Sequence, residues 1–310
     1  MAVLTAGAAG DSDVMVYFFD VGQGDSILIT VDGKNMLIDG GPAAAGSALL
    51  GYLGSANITH LDFVVATHAH EDHIGGLIAV LESTIIVDTV LYNGYNYTSQ
   101  TKQKFLTSAE NHSSLTLAER NDVYILSAAA NFTVLSPTQP HEFANTDLNA
   151  NSVVLKLQVS NVSFLFTGDA TAAAEQSMLN AGLNVSSNVL KVAHHGSRTS
   201  TSQAFLDAVN PAYAVISAGV DNIFGHPHEE TVQRLIGKGV VTYGTYVSGT
   251  IVFITDGNTV TVQDDPEPIP EFPSALTLPL MAATLLISIA YKRKHSKNDE
   301  KDALSFQQGL

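Results

Sequence analysis

The stretch that decides the fold is Thr67-His68-Ala69-His70-Glu71-Asp72-His73-Ile74-Gly75-Gly76-Leu77. It follows an apolar run that predicts a strand over Phe63–Thr67 and precedes a helical pattern over Gly75–Glu82. A turn between a strand and a helix lets alternate side chains converge on one point. Three histidines and an aspartate at such a turn therefore predict a metal site of imidazole and carboxylate ligands, which suits Zn, Mn or Fe.

The spacing within this motif predicts two neighbouring ions. His68 and His70 can face one ion, and Asp72 and His73, at the helix entrance, can face a second. The alternative is a solvated polar loop whose histidines are satisfied by ordinary hydrogen bonds. Clustering disfavours that alternative, because several buried imidazoles without an ion carry a desolvation cost.

Composition excludes several classes of protein. The 310 residues contain no cysteine, which rules out a disulfide framework, thiolate ligands and a cysteine nucleophile. With 45% apolar residues, the chain is not disordered. The net charge of −16 lies in residues 1–265, which hold 25 acidic and 9 basic side chains, whereas residues 266–310 hold 5 of each. So acidic a body offers no obvious footprint for nonspecific nucleic-acid binding and favours cations as partners.

The body, residues 14–263, alternates strand signals with helical patterns. Turn residues at Asp32-Gly33 and Asn161 predict hairpins. Hairpin-paired early strands and later strands that alternate with helices predict an α/β fold, a four-layer αββα sandwich. The other predicted strands are Val14–Phe19, Asp25–Val31, Asn35–Asp39, Ile85–Tyr92, Val123–Ile125, Phe132–Ser136, Val153–Val159, Val162–Thr167, Val189–Val192, Ala212–Ser217, Val240–Tyr243 and Thr250–Thr255, and the other helices are Ala172–Ala181, Ser202–Val209 and Glu229–Lys238.

The two ends of the chain differ from the body. Residues 1–13 are a short lead without the basic region of a signal peptide. Residues 264–271 are a Pro-rich acidic linker, and residues 272–291 carry no charge. This uncharged segment, followed by a basic and then polar tail over 292–310, predicts a transmembrane helix with a cytoplasmic end. A buried helix that closes the domain is the alternative.

The tail resembles an archaeal PEF-CTERM sorting signal in its Pro270-Glu271-Phe272 tripeptide, apolar segment and basic end. This resemblance implies export, a sorting enzyme as a partner, and either membrane anchoring or removal of the tail. Six Asn-x-Ser/Thr sequons agree with a body outside the cell, at the surface or anchored to the membrane.

The motif His68-x-His70-x-Asp72-His73 resembles the signature of the metallo-β-lactamase superfamily, with similarity over roughly residues 14–256. The resemblance implies the αββα fold and two divalent ions, with zinc favoured and manganese an alternative. It also implies roles for residues at the ends of other strands. Asp39 resembles the aspartate that orients the metal loop, Asp169 resembles the bridging carboxylate, and the last histidine ligand aligns best with His195, with His194 close behind.

Four further segments are similar to the soluble domain of ComEC/Rec2 competence proteins, and bacterial surface phosphorylcholine esterases share their look. They are Phe18–Ser26, Asn151–Leu155, His194–Ser197 and Gly225–His228. From them we expect Asn151 and Ser197 to support the ligands, and we interpret Gly22-Gln23-Gly24-Asp25 as a tight turn.

One departure concerns the third histidine that most superfamily members place on the first ion. His112 and His141 lie in the corresponding region but not in a matching context. Water or an asparagine of the 149–155 segment then fills the position, or His226 or His228 substitutes. The alternative for this last pair is the capped start of a helix.

The predicted activity is hydrolysis by a metal-activated water, with Asp72, His195 and His226 as catalytic residues. The resemblance favours a phosphodiester, either a small molecule or single-stranded nucleic acid, which Lys191 and Arg198 could contact as a local basic groove. A small ester or lactone is the alternative substrate, and a non-catalytic surface metal-binding module is the alternative class. A serine nucleophile is disfavoured because no Gly-x-Ser-x-Gly elbow is present.

Overall fold

The computed structural model describes residues 13–94, 98–139, 141–144, 147–264 and 266–269. The chain divides into two units, Met1–Ile269 and Pro270–Leu310, and all the described residues belong to the first. The predicted membrane helix, basic tail and sorting tripeptide therefore lie outside the described residues, as does the lead except for its last residue. Among the helices of the described part, none is both long and apolar enough to cross a bilayer.

The described strands form two sheets that face each other. They are β1 (Val14–Phe18), β2 (Ile27–Val31), β3 (Lys34–Ile38), β4 (His60–Ala66), β5 (Ile86–Tyr92), β6 (Ser114–Leu117), β7 (Val123–Ile125), β8 (Ala130–Ser136), β9 (Val154–Val159), β10 (Val162–Phe166), β11 (Val189–Lys191), β12 (Tyr213–Ile216), β13 (Val241–Gly244), β14 (Ile251–Thr255) and β15 (Val260–Val262). One sheet has the order β15-β14-β1-β2-β3-β4-β5-β6, and the other has the order β13-β12-β11-β10-β9-β8-β7.

Helices cover the outer face of each sheet. They are α1 (Gly46–Ser55), α2 (Glu71–Leu81), α3 (Gln100–His112), α4 (Ala172–Asn180), α5 (Gln203–Val209), α6 (Glu229–Gly237) and the single turn α7 (Thr245–Ser248). Apolar residues of α1, α2 and α3 pack on the eight-stranded sheet, and those of α4, α5 and α6 pack on the seven-stranded sheet.

A third layer of apolar side chains lies between the sheets. Strand β1 shows how one sequence serves two layers: Val16 and Phe18 belong to the core between the sheets, while Met15 and Tyr17 pack under the helices. Because side chains alternate along a strand, both faces of β1 are buried and the strand is apolar throughout. The predicted αββα sandwich is confirmed.

Both predicted hairpins are present. Strands β2 and β3 pair antiparallel around Asp32 and Gly33, which have φ values of 51° and 72°, and β9 and β10 pair antiparallel around the Asn161 turn. Positive φ at both turn residues gives the twist that a two-residue hairpin needs.

Three helices were not predicted: the single turn α7 and two longer helices, which were missed for different reasons. Helix α1 (GSALLGYLGS) contains three glycines, which lower its intrinsic propensity, and it buries Leu49 and Leu53 against the sheet instead. Helix α3 is polar along most of its length and buries few apolar side chains, Phe105 and Ala109 among them. Its start is marked by Ser99, whose side chain accepts a hydrogen bond from the Lys102 backbone N–H.

Strand direction brings the polar loops to one edge of the sandwich. Strands β3 and β4 run parallel in one sheet, and β10, β11 and β12 run parallel in the other. The carboxyl ends of parallel neighbours meet at the same edge. The loops that follow these five strands carry most of the predicted site residues, so the edge is where the site is built.

Candidate metal centre

Asp39 fixes the metal loop. It follows β3 with a φ of 56° and is fully buried. Its Oδ1 accepts a hydrogen bond from the Thr67 backbone N–H at 2.8 Å, and its Oδ2 accepts from the Thr67 hydroxyl at 2.7 Å and from His73 Nδ1 at 2.8 Å. The last contact places the proton on Nδ1 and turns the free Nε2 of His73 toward the centre of the site. Asp39 lies where its predicted orienting role requires.

Close backbone contact holds the start of α2 in position. The helix begins at Glu71, with His70 as its N-cap residue and two acidic residues in its first turn. A Cβ on Gly76 would lie 2.0 Å from the carbonyl oxygen of Gly40, and a Cβ on Gly24 would lie 2.2 Å from that of Asp72. Only glycine allows these approaches. The loops after β1 and β3 can therefore press directly against the metal loop.

One group of ligand atoms converges on the His73 side. The Nε2 atoms of His73 and His195 are 3.3 Å apart, and His73 Nε2 is 3.3 Å from Asp169 Oδ1. His195 Nε2 is also 3.3 Å from Asp72 Oδ2 and 3.5 Å from Asp169 Oδ2. Tetrahedral bonds of 2.0–2.1 Å to zinc place neighbouring ligand atoms roughly 3.3 Å apart. The Nε2 atoms of His73 and His195 and the carboxylate of Asp169 therefore have the spacing of ligands to one divalent ion, and Asp72 lies beside them at His195.

A second group shares Asp169. The Nε2 of His68 lies 2.9 Å from His70 Nδ1 and 3.7 Å from Asp169 Oδ2. His194 approaches from the other side, with its Nε2 3.8 Å from the same carboxylate oxygen and 3.3 Å from the side-chain nitrogen of Asn149. Two histidines and one carboxylate oxygen form the core of this group, while His194 and Asn149 stand beside it. Asn149 belongs to the 149–155 segment and is therefore a candidate for the asparagine that replaces the missing histidine.

Histidine tautomers agree with metal binding at the first of these groups. The Nδ1 of His195 lies 2.9 Å from the carbonyl oxygen of Ser217 and so carries the proton. His73 is held in the same way by Asp39, and both rings are buried. Several buried polar atoms have no hydrogen-bond partner among the described residues, including Asp169 Oδ1 and Asn149 Oδ1. Buried polar atoms normally have partners, and an ion supplies one for a carboxylate oxygen.

Charge in the site also favours a cation. Burial lowers the pKa of His73, but the carboxylates of Asp169, Asp39 and Asp72 outweigh burial and raise it well above its usual value. Burial, and next the charge of His73, lower the pKa of His68, so its ring is neutral, as a metal ligand must be. In the metal-free protein, the positive charge of protonated His73 compensates the carboxylates. A bound divalent ion would take over that compensation.

Asp25 reaches the site although no role was predicted for it. Its loop, interpreted as a tight turn, carries the carboxylate to 3.4 Å from His195 Nδ1 and 3.8 Å from His73 Nδ1. Asp25 forms a buried ion pair with Lys191, which also donates to the Gly168 carbonyl oxygen at 3.3 Å. Because it faces the Nδ1 side of both rings and is neutralised by a lysine, Asp25 supports the ligands from behind, and Asp72 is the better ligand.

The prediction of a basic groove at Lys191 and Arg198 is wrong. The Lys191 side chain is fully buried, since it ends β11 and points at Asp25 rather than at solvent. Arg198 is exposed, but its guanidinium is 3.3 Å from Glu230. Neither side chain offers an unpaired cation to a phosphate backbone.

The remaining predicted residues take different positions. Asn151 is fully buried and donates to the Asp147 carbonyl oxygen at 2.9 Å. The Ser197 backbone N–H donates to the His194 carbonyl oxygen, and its hydroxyl pairs with Thr199 at 3.0 Å, so Ser197 shapes the histidine turn. His228 is the N-cap residue of α6 and accepts from the Arg198 backbone N–H, as in the helix-cap alternative.

A cavity of about 280 Å³ opens over the ligands. Asp72, Asp169, His194 and His195 line it, together with residues that sequence reasoning gave no role. His226 also lines the cavity, with its ring centre 6.0 Å from that of His195. Burial, followed by the charges of His195, His194 and His228, lowers the pKa of His226 to about 4. His226 is therefore neutral at pH 7 and lies within reach of a bound substrate.

Known proteins resemble this chain in sequence and in fold. ComE operon protein 3 of Bacillus subtilis is 30% identical over 262 residues, which are 78% of this chain and 33% of that protein. Competence protein ComA of Neisseria gonorrhoeae is 33% identical over 248 residues, which are 79% of this chain and 33% of that protein. The chain thus spans about one third of the length of these curated relatives.

The fold has a solved counterpart as well. The metallo-beta-lactamase fold protein YhfI from Bacillus subtilis superimposes with a TM-score of 0.52 at 14% identity, over 79% of this chain and 100% of that chain. The family model described as "Metallo-beta-lactamase superfamily" matches residues 19–220, which include the metal loop, the shared aspartate and both histidines of the 194–195 turn. The chain belongs to the metallo-beta-lactamase superfamily.

Proposed function

We propose that this protein hydrolyses phosphodiester bonds with the help of two divalent ions, with zinc favoured. The observation that carries the proposal is Asp169, whose carboxylate contacts both groups of histidines, with its Oδ2 also 3.5 Å from His195 Nε2. Oδ1 lies 3.3 Å from His73 Nε2, and Oδ2 lies 3.7 Å from His68 Nε2. A carboxylate placed in this way can hold two ions side by side, the arrangement suited to phosphate ester hydrolysis.

The chain's own residues divide the work around these ions. When bound, the ions lower the pKa of water and polarise a phosphoryl oxygen. The Asp72 side chain is 28% exposed at the cavity and can orient a water molecule through its carboxylate. His226 is neutral at pH 7, and its Nδ1 has no partner among the described residues, so the ring can offer an N–H to a departing oxygen.

The relatives give the proposal its substrate class. The name of competence protein ComA refers to competence, and nucleic acids taken up in competence are phosphodiesters. Because the chain spans one third of those proteins, their whole activity does not transfer to it. The proposal takes from these relatives only the type of bond that is hydrolysed, a phosphodiester.

A panel of substrates tests the proposal. The full chain, loaded with zinc or manganese, is assayed on bis-p-nitrophenyl phosphate, single-stranded DNA and a lactone, with bound metal counted in the same sample. Asp169→Asn is compared with Asp207→Asn, a matched change at an exposed carboxylate of α5. We expect phosphodiester hydrolysis in the wild type and in Asp207→Asn and its loss in Asp169→Asn. Turnover of the lactone alone would overturn the phosphodiester proposal, and a folded protein that turns over none of the three substrates would favour a non-catalytic module.

We further propose, from the resemblance of the tail, that the protein is exported and held at the cell surface by its C-terminal segment. Protease added to intact cells should then degrade the body, whereas a chain truncated after residue 269 should be released into the medium. A body that is protected until the cells are lysed would contradict this location.

A further inference from the structure

We propose that Phe224 and Gln23 form a subsite for a nucleobase, so that the preferred substrate is a nucleotide-sized phosphodiester. This inference rests on the proposed function and adds the group attached to the phosphate. Phe224 and Gln23 line the same cavity as the ligands Asp72, Asp169 and His195. The cavity volume of about 280 Å³ lies at the small end of the range for small-molecule sites.

Phe224 presents an aromatic face next to the metal ligands. The residue is 57% exposed, and its ring stacks on that of His226 with centres 5.7 Å apart and planes 22° apart. An exposed aromatic ring at the rim of a catalytic cavity is a common platform for a flat ligand, and every base has a face that can stack on it. A nucleobase can stack on the Phe224 ring while the phosphate attached to it is held at the metal ligands.

The loop that carries Phe224 is braced in advance. Asn222 donates from its side chain to the carbonyl oxygens of Gly219 and His226, at 2.9 and 2.5 Å, and accepts from the His226 backbone N–H at 3.0 Å. At the other end of the loop, the Gly219 N–H donates to Gln23 Oε1 at 3.1 Å. A Cβ on Gly219 would lie 2.7 Å from the Gln23 backbone nitrogen. The platform is therefore fixed before a ligand arrives, which reduces the entropy lost on binding.

Gln23 supplies a polar group that points to the same kind of ligand. Its Oε1 is engaged by Gly219, while its Nε2 is buried and has no partner among the described residues. The amide nitrogen can therefore donate to a ring nitrogen or carbonyl oxygen of a base. Within the described residues, no lysine or arginine lines the cavity. Recognition by stacking and one amide suits a single nucleotide better than a long strand, which needs cations along its backbone.

Binding of products tests the subsite without relying on turnover. The zinc-loaded full chain is titrated calorimetrically with thymidine 5′-phosphate and with deoxyribose 5-phosphate, which lacks the base. We expect the wild type to bind the nucleotide about tenfold more tightly, as one stacked base provides. Phe224→Ala should remove most of this preference, Phe224→Tyr should keep it, and Ile223→Ala, a 93% exposed neighbour outside the cavity lining, should keep it as a control.

Hydrolysis provides the second readout. The ratio of kcat/KM for thymidine 5′-p-nitrophenyl phosphate to that for methyl p-nitrophenyl phosphate should fall about tenfold in Phe224→Ala and stay near the wild-type value in Ile223→Ala. Equal rates on both esters in the wild type, or an unchanged ratio and binding preference in Phe224→Ala, would overturn the subsite while leaving the phosphodiesterase proposal in place. Hydrolysis of neither ester by a protein with two bound ions would refute the phosphodiesterase, and the calorimetric preference would still report on the subsite.

Discussion

The buried ion pair between Lys191 and Asp25 gives a sharp prediction about stability. The two side chains are 0% and 2% exposed. Burial raises the pKa of Asp25, but the charge of Lys191, and then those of His195 and His73, outweigh burial. The pKa is therefore below its usual value, and the carboxyl is ionised. Lys191→Met keeps most of the side-chain volume and removes only the ammonium. The variant therefore isolates the charge from the packing.

The expected loss is large because the carboxylate is left behind. Removing one partner of a buried pair typically costs about 3–5 kcal/mol, most of it from the uncompensated charge. For a domain of this size, such a loss corresponds to a fall of about 10 °C in Tm. The two histidines near Asp25 cannot replace the lysine fully, since carboxylates of the metal site already engage them.

Equilibrium unfolding in urea measures this effect, with a chelator present so that no bound ion supplies compensating charge. Lys104→Met is the matched control, because its partner Glu82 is also a carboxylate but the two side chains are 60% and 44% exposed, so the loss should be much smaller there. The double variant Lys191→Met/Asp25→Asn should recover part of the stability, since no buried charge remains. A loss below about 1 kcal/mol in Lys191→Met would refute the view of Asp25 as a buried ionised group.

Three further predictions concern the metal centre. Asp39→Asn should weaken metal binding about 10- to 100-fold, measured by competition with a chelating dye, because the amide no longer fixes the His73 tautomer; unchanged affinity would exclude an orienting role. His195→Ala should lose the ion on the His73 side, whereas His194→Ala should retain it, as counted by elemental analysis, since only His195 Nε2 lies 3.3 Å from His73 Nε2. The pKa of His226 is lowered to about 4, so the folded state resists its protonation, and stability should fall as the pH drops from about 6.5 to 4; His226→Asn should show a shallower fall over this window, and an equal slope in both proteins would contradict the lowered pKa.

Much of the fold was predictable because its signals are local. Each local signal can be recognised within a few residues, as in hairpin turns such as Asp32-Gly33, apolar runs and the metal motif. Helix α1 did not, because its glycines hide the helical pattern and its stability comes from Leu49 and Leu53 meeting the sheet. Tertiary packing, which overrides propensity there, leaves no trace in a short window of sequence.

The predicted ligands and the orienting residue Asp39 lie where strands end, but the support that the pair of Asp25 and Lys191 gives them was not predicted. His68, His73 and Asp169 follow strands with clear signals, so sequence order places them at one edge. Asp25 was treated as part of a turn, because its role depends on Lys191, which lies 166 positions further along the chain. A glycine at the contact between the two loops, Gly24 beside Asp72, is a local sign that the loops approach each other closely. A pairing across the two sheets cannot be inferred from either segment alone.

Basic side chains decide what size of substrate the acidic body can hold. All nine lysines and arginines of residues 1–265 lie in the described part, and none of them lines the cavity. Lys34, Lys104, Arg198 and Lys238 pair with carboxylates, Lys191 is buried with Asp25, Lys102 is 9% exposed, and Arg120, Lys156 and Arg234 donate to carbonyl oxygens. Affinity for a long nucleic-acid strand grows with the number of phosphates that free cations neutralise. Because none of these cations lines the cavity, attraction for an anion there depends on ions bound at the metal ligands, and one phosphate with one base matches that distribution better than a strand does.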